Sequence, residues 1–590
     1  MIPQTGQNSF SEKLFKKIVE LRSHLNLGGR WTTYVHAVAA GILAAFVAVA
    51  FQKSTHFILE TFTGVDRARV VQTFIETAPW RRIFSLCLGG VLAGCVLLFA
   101  SKKVKKRATP YMEAVAIGNG YIPVIPNLLR SLAAIITIGC GASIGREGPL
   151  VQTATVFASL IGRKTRMSKT RLRLLIACSA AGAMSAVFHT PLAGGLFVCE
   201  IVIGALSIDL LAPLLAASCA SYLTISVIGD PSPLYEVADA YLKTGFDVAV
   251  YAVVMGVFGS LLAKLWLLVL SKSRKLLNGN QYWLPVRLAL AGCIVGTLTI
   301  FFPEVAGNGA HMIKGVVSMN FDFQQVCAFM GLKFFAVVTF FALGAVGGVL
   351  TPSLTMGCLS GFVFAQILVL CGVQLTPQEM IGFALLGMAS FFTTAAAAPI
   401  TSLFLVVEFT MTGRMIFPLI IGVLVSYAVS KIFETKSMYN DEASGTMLST
   451  FRKPMGAITI RDIFRKTSEP VAANAFFYDI AKRFLLSPEE AVFVVSRSNK
   501  YIGAIFRTDI LHFLNSPDVS FNVIADDIMR CDVPTVSPDM KLIDAVKIFS
   551  ENESFDLLPI VGKDAKFGGV VNRSDILMGL NELIAREKIK

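Results

Sequence analysis

Charge is scarce in this chain. Only 16% of its 590 residues are Asp, Glu, Lys or Arg, against 54% that are hydrophobic. The mean hydropathy of +0.65 is far above that of a soluble protein of this length. Acidic side chains are the scarcer sign, 39 against 53 basic. The eleven cysteines stand singly, with no CxxC or CxxxC pair, and only Cys531 lies beyond residue 450. That pattern supports neither a disulfide framework nor a zinc site. Six histidines form no cluster, and HExxH and phosphate-loop patterns are both lacking, so no metal centre, required cofactor or enzymatic chemistry is expected. The N-terminal stretch (Glu12, Lys13, Lys16, Lys17, Glu20, Arg22) has no apolar core or cleavage site of a signal peptide.

What charge there is divides the chain. Residues 451–590 hold 19 basic and 19 acidic side chains, so the whole net +14 sits in residues 1–450. It falls in short clusters between apolar segments, the pattern that keeps loops cytoplasmic, and not on a single face as nucleic-acid binding requires. The expected organisation is a cytoplasmic segment 1–30, a transmembrane domain 31–445 and a cytoplasmic tail 446–585. Both termini are expected in the cytoplasm, with the body spanning the plasma (inner) membrane several times.

Uncharged runs mark the spans. Ile83–Ser101 has 19 residues, Leu174–Cys199 26, Leu210–Gly229 20, Phe334–Gln378 45 and Met380–Val407 28; about 20 cross a bilayer. Ser131–Gly145 and Gly148–Gly162 have only 15 each, with Arg146 and Glu147 between them. Helices that short predict re-entrant or broken segments. An internal repeat accompanies them. Gly141 to Pro149 matches Gly344 to Pro352 as GAxxGxxxP, 203 positions on, and Pro191 with Glu200 matches Pro399 with Glu408, 208 positions on. A weaker echo sets Gly118-Asn119-Gly120 against Gly307-Asn308-Gly309. The spacing predicts homologous halves, about 31–230 and 245–435, with a substrate site between them.

Gly145-Arg146-Glu147-Gly148-Pro149 has the chemistry for such a site. A loosened backbone leads into a helix whose first turn accepts Pro149, and a helix start offers unpaired N–H groups and partial positive charge to an anion. The Glu147 carboxylate stands at that place and would leave it on protonation, which makes a gate linking protons to anions. The plain alternative is a glutamate that only complements the helix dipole. The mate Gly347-Gly348-Val349-Leu350-Thr351-Pro352 repeats the design without a carboxylate, or is a glycine-rich kink. Gly118-Asn119-Gly120 before Ile122-Pro123 is a third such turn.

These segments resemble the CLC family of chloride channels and chloride/proton exchangers, in its bacterial type with a C-terminal CBS-domain pair, from about residue 33 onward. Ser143 to Pro149 resembles the family's GREGP signature and Gly348 to Pro352 its GxFxP motif, with Leu350 where Phe is usual. Gly118 to Pro123 resembles GSGIP, Phe188 to Gly194 another family segment, and Lys436 to Tyr439 the stretch that supplies an anion-coordinating tyrosine. The resemblance implies a mostly α, polytopic membrane fold with inverted repeats and re-entrant broken helices, followed by an α+β CBS pair. It implies a homodimer with one pore per subunit, no nucleic-acid partner, and chloride as the transported ion. Glu147 would be the gating glutamate. Anion contacts would come from Asn119, Gly120, Gly145, Arg146, Gly148 and Tyr439, and from the main chain of Val349 and Leu350.

Two departures bear on mechanism. Asn119 stands where chloride-selective members have Ser, leaving fluoride or nitrate as alternative cargo. Ile201 stands where exchangers place an inner proton-relay glutamate, with Glu200 one position off, about 100° around an α-helix. Glu200 is read as a buried, protonated or hydrogen-bonded carboxylate with a structural role shared by Glu408. The resulting expectation is a channel-like or weakly proton-coupled pathway, with chloride/proton antiport as the alternative. A cation pathway would need an acidic lining, which the basic body argues against.

In the tail, 457–515 and 523–580 each resemble a CBS domain. Such pairs bind adenine nucleotides through an aspartate that follows a Ser or Thr by three, which implies Asp509 and Asp575. That Ser/Thr position holds Phe506 and Asn572 here, and helix N-capping is the alternative role for both aspartates.

Overall fold

In a computed structural model, described with short gaps over residues 7–439 and 459–572 and with side chains described from residue 31, the chain divides into two units. One comprises Thr33–Ala116 and Gly120–Ala443; the other comprises Met1–Thr32, Ile117–Asn119 and Ser444–Lys590.

Helices dominate the first unit because hydrocarbon offers backbone groups no partner, and an α-helix satisfies them internally. Among the described residues, ten helices are long and apolar enough to span, from Trp31–Thr63 to Gly413–Ile432. Three shorter apolar helices are Val124–Gly139, Pro191–Ile203 and Pro399–Thr410. The expected run Ile83–Ser101 lies inside Pro79–Lys103, whose last turn carries Lys102 and Lys103.

The long uncharged runs are broken, as short re-entrant helices require. Leu174–Cys199 is cut where Lys169–Phe188 ends at His189, φ 58°, and a new helix starts at Pro191. Met380–Val407 is cut in the same way: Pro377–Ala396 ends at Ala397, φ 58°, before Pro399. Left-handed backbone costs a non-glycine residue about 1–2 kcal/mol, yet both halves keep it at positions 208 apart. Glu379, which interrupts the Phe334 to Val407 stretch, opens the Pro377 helix. Its Oε2 accepts from the Thr376 amide at 2.8 Å, while its own amide donates to Thr376 Oγ1 at 3.3 Å, a reciprocal cap.

These mates are also the centre of the unit. The apolar windows of Lys169–Phe188 and Pro377–Ala396 are 83% and 100% buried, against about a third for the peripheral Pro79–Lys103 and Leu284–Phe301. Gly141 and Gly344, 203 apart, both turn through the left-handed region at φ 98° and 103°, which glycine alone enters freely.

The second unit contains two β-hairpins. Ala491–Val495 pairs antiparallel with Tyr501–Phe506, and Val471–Ala472 adds in parallel. Leu557–Val561 pairs antiparallel with Phe567–Asn572. The hairpins meet where the Tyr501 amide donates to Ala565 O at 2.9 Å and the Phe567 amide to Asn499 O at 3.1 Å. Phe493, Tyr501 and Phe567 pack there, with ring centroids 5.4–6.5 Å apart.

Close approach between Leu350–Leu370 and Pro377–Ala396 depends on small residues. A Cβ on Gly361 would run into Phe383 O and lie 2.8 Å from Ala384 Cα. Gly361→Val should therefore cost about 1–3 kcal/mol and lower the melting temperature in detergent. An unchanged melting curve refutes this packing argument.

Candidate functional site

A helix that starts inside an apolar unit leaves its first amides unpaired. The starts at Glu147 and Leu350 are repeat mates, as are those at Pro191 and Pro399. The structure treats the two pairs differently.

At Pro191 and Pro399 the amides are taken. Glu408, in the second half, accepts from the Leu192 and Ala193 amides at 2.9 and 2.7 Å. Glu200, in the first half, accepts from the Ile400 and Thr401 amides at 3.1 and 2.7 Å and from Thr401 Oγ1 at 2.6 Å. Each half thus caps the broken helix of the other, at the same two positions of the first turn. The sequence reading treats Glu200 and Ile201 as α-helical; in the structure both lie in a π-helix, Val198–Ile203. The wider turn alters the expected 100° offset between them.

At Glu147 and Leu350 the loops pair instead. The Gly145 amide donates to Gly348 O at 2.8 Å, and the Gly348 amide to Gly145 O at 2.7 Å. A Cβ on Gly145 would lie 2.7 Å from Gly348 O, so glycine is what permits this approach. The helical ladders begin only with Leu150 bonding back to Arg146 O and Ser353 to Val349 O. Glu147, Gly148, Leu350 and Thr351 therefore present amides with no intrahelical acceptor, and Pro149 and Pro352 have none to present.

Into this junction reaches the Glu147 side chain, 2% exposed. Its Oε1 accepts from Thr351 Oγ1 of the opposite helix start. Its Oε2 has no hydrogen-bond partner among the described residues, and neither does Nε of half-buried Arg146. Gly148 is exposed. Thr351 was not singled out from the sequence, although repeat alignment places it opposite Gly148.

Tyr439 comes back to the same core. Ser437 Oγ donates to Ala396 O at 2.8 Å, and the Met438 amide to Ala395 O at 2.8 Å. Met438 Sδ lies 3.9 Å from Ser353 Oγ, and the Tyr439 ring meets Phe197 edge-on at 5.7 Å. Gly120 is fixed by Ser159, whose Oγ donates to its carbonyl at 2.7 Å. Asn119 groups with the other unit.

In the tail, Asp509 is engaged by its own unit. Asp509 Oδ2 accepts from the Phe506 amide at 3.0 Å, and both its oxygens pair with Arg530 Nε at 3.0 and 3.1 Å. That carboxylate holds the Arg530 guanidinium above its ordinary range. The capping role expected as the alternative is thus the geometry found for Asp509. Asp575 lies outside the described residues.

Residues 89–431, more than half of the chain, match the voltage gated chloride channel family. The chain belongs to the CLC family. Residues 525–582 match the CBS domain, and with the preceding hairpin they form the C-terminal CBS pair of this CLC protein. A voltage-gated ClC-type chloride channel, ClcB, of Salmonella typhi is 32% identical over 418 residues, 69% of this chain and 98% of that protein. The ClcB of an Escherichia coli strain is 29% identical over 416 residues, again 69% and 98%. Among solved structures, a slow cyanobacterial Cl-/H+ antiporter superposes with TM-score 0.63 at 18% identity, over 71% of this chain and 99% of that one. A eukaryotic CLC transporter gives TM-score 0.63 at 16% identity, over 92% and 97%. At such identities the likeness establishes the CLC fold.

The crossed caps make a prediction of their own. Glu200→Ala and Glu408→Ala should each strand two amides in an apolar setting and cost about 1–3 kcal/mol, with Gln variants losing less because one oxygen still accepts. Thermal unfolding of the purified variants checks this. Alanine variants as stable as the natural chain would mean that these contacts do not hold the halves.

Proposed function

We propose that this CLC protein transports chloride through a pathway gated by Glu147. The observation that carries the reading is the Glu147 carboxylate laid from its own helix start onto Thr351 of the opposite one, with one oxygen unbonded. A carboxylate there stands in for the anion that two converging helix starts attract. Chloride would displace it, with main-chain donors at Val349 and Leu350 and with Gly145, Arg146, Gly148 and Tyr439 contributing contacts. Asn119 and Gly120 complete this reading from the resemblance, and the Asn119 amide can donate to a halide. The protein is read as a homodimer with one pore per subunit, in the inner membrane, with both termini cytoplasmic. The CBS repeats are placed at about 457–515 and 523–580; Arg530 on Asp509 tells against a nucleotide contact at that residue.

On coupling, the two carboxylates differ. Glu200, beside Ile201, accepts three hydrogen bonds at the Pro399 helix, so releasing it to carry protons would strand that helix start. This supports channel-like or weakly coupled transport over strict chloride/proton exchange.

Two measurements test the reading. Glu147→Gln or Glu147→Ala should raise chloride flux from reconstituted vesicles several-fold and flatten its pH dependence; unchanged flux and pH response removes Glu147 from the gate. Under opposed chloride and proton gradients, the reversal potential should follow chloride with little proton-dependent shift. A firm shift establishes exchange instead, and repeating the measurement with fluoride and nitrate fixes the cargo.

A further inference from the structure

One charged side chain in the membrane unit has no part in the preceding account. Lys333, on the spanning helix Phe323–Ala342, is 0% exposed. Its Nζ donates to Ser143 Oγ at 2.7 Å, to Val305 O at 3.1 Å and to Gly307 O at 2.6 Å. No ion pair involves it among the described residues.

The partners decide its protonation. Two are carbonyls, which only accept. The third, Ser143 Oγ, gives its one proton to Val305 O at 3.0 Å and so accepts from lysine as well. With that hydroxyl proton on Val305 O, the three contacts are all acceptors and match the three N–H donors of an ammonium. The result is a buried cation that is hydrogen-bonded but not neutralised, in a setting where isolated charge is costly. Its contacts explain where it sits. Ser143 belongs to the loop that ends in Gly145 and Glu147. Gly307 belongs to the Gly307-Asn308-Gly309 turn and donates to Gly141 O at 3.0 Å. Lys333 thus binds a turn of the second half to the gate loop of the first, with its charge two residues behind Gly145.

We propose that Lys333 is a positioning residue whose uncompensated ammonium sets the anion affinity of the site at the Glu147 and Leu350 helix starts. Its donors are all spent on the loop, so it acts on the anion through space. Ser143 and Glu147 are four positions apart, a reach under about 15 Å. A unit charge at roughly 12 Å, at an effective dielectric of about 20, changes anion affinity on the order of tenfold. The proposal rests on the reading of this site as an anion site.

The test is chloride titration of the full-length protein by calorimetry, with vesicle flux alongside. Lys333→Met and Lys333→Gln should weaken chloride binding about tenfold, Lys333→Arg by no more than about threefold, and Ser143→Ala, which keeps the charge and loses one bond, by no more than about twofold. Neutral variants that fold and bind chloride like the natural chain overturn the proposal. So does a tenfold loss in Ser143→Ala, which would make hydrogen bonding to the loop the operative term; this arm decides even where the neutral variants do not fold. A natural chain that binds no chloride fails the site reading itself, a result distinct from either.

Discussion

The two hydrogen bonds between Gly145 and Gly348 are the constraint from which the rest of the membrane unit follows. They join the loops of the two halves back to back, which sends the helices starting at Glu147 and Leu350 away from one junction with their first amides facing it. Neither loop has another use for those main-chain groups, and no side chain larger than hydrogen fits between them. Once the loops are joined, the partial positive ends of two helices are forced together inside a low-dielectric unit. Such an arrangement is tolerable only with negative charge nearby.

Three carboxylates serve four such helix starts. Glu200 and Glu408 each reach across to the other half, and both oxygens of each are bonded to main chain. They are fixed structural caps. Glu147 differs in being the first residue of one helix while bonding the hydroxyl at the start of the other. One of its oxygens is uncommitted, so a modest side-chain rotation can empty the junction without undoing any backbone bond. The unit therefore separates two carboxylates whose oxygens are all committed to main chain from one that keeps an oxygen uncommitted. This division is why Glu147, and neither of the other two, suits a gate.

Much of this was legible in the sequence for a physical reason. Broken helices need glycine turns, prolines in the first turn and capping carboxylates, all of which are residue types at fixed spacings. The GAxxGxxxP and Pro-to-Glu repeats therefore pointed to paired loops between two halves and to a shared structural role for Glu200 and Glu408, but not to each capping the helix of the other half. What the sequence could not announce were contacts that join distant segments through ordinary residues. Thr351 is one, an unremarkable hydroxyl until Glu147 arrives from 204 positions away. Lys333 is another, a charge at the edge of a long apolar run whose partners come from two loops. The π-helix at Val198–Ile203 escaped because helix-period reasoning presumes 3.6 residues per turn. In the tail, Asp509 matched a nucleotide-binding spacing, but its spacing said nothing of Arg530, 21 residues on, which takes both its oxygens.

The π-segment bears on how protons and anions are related. A relay carboxylate must be free to move as it gains and loses its proton, whereas a cap is held by the amides it accepts from. Glu200 lies beside the position where a relay would be expected, on the segment that departs from α geometry, and its hydrogen bonds are those of a cap. Moving it off that helix start would leave two amides and a hydroxyl without their acceptor in an apolar setting. Glu147 is not held in this way: one of its oxygens is uncommitted, and the Gly145–Gly348 pair does not involve its side chain. The Glu200 side chain is thus part of what joins the halves, and the Glu147 side chain is not. On the proposed reading, coupling between the two ions would be limited by what holds the halves together.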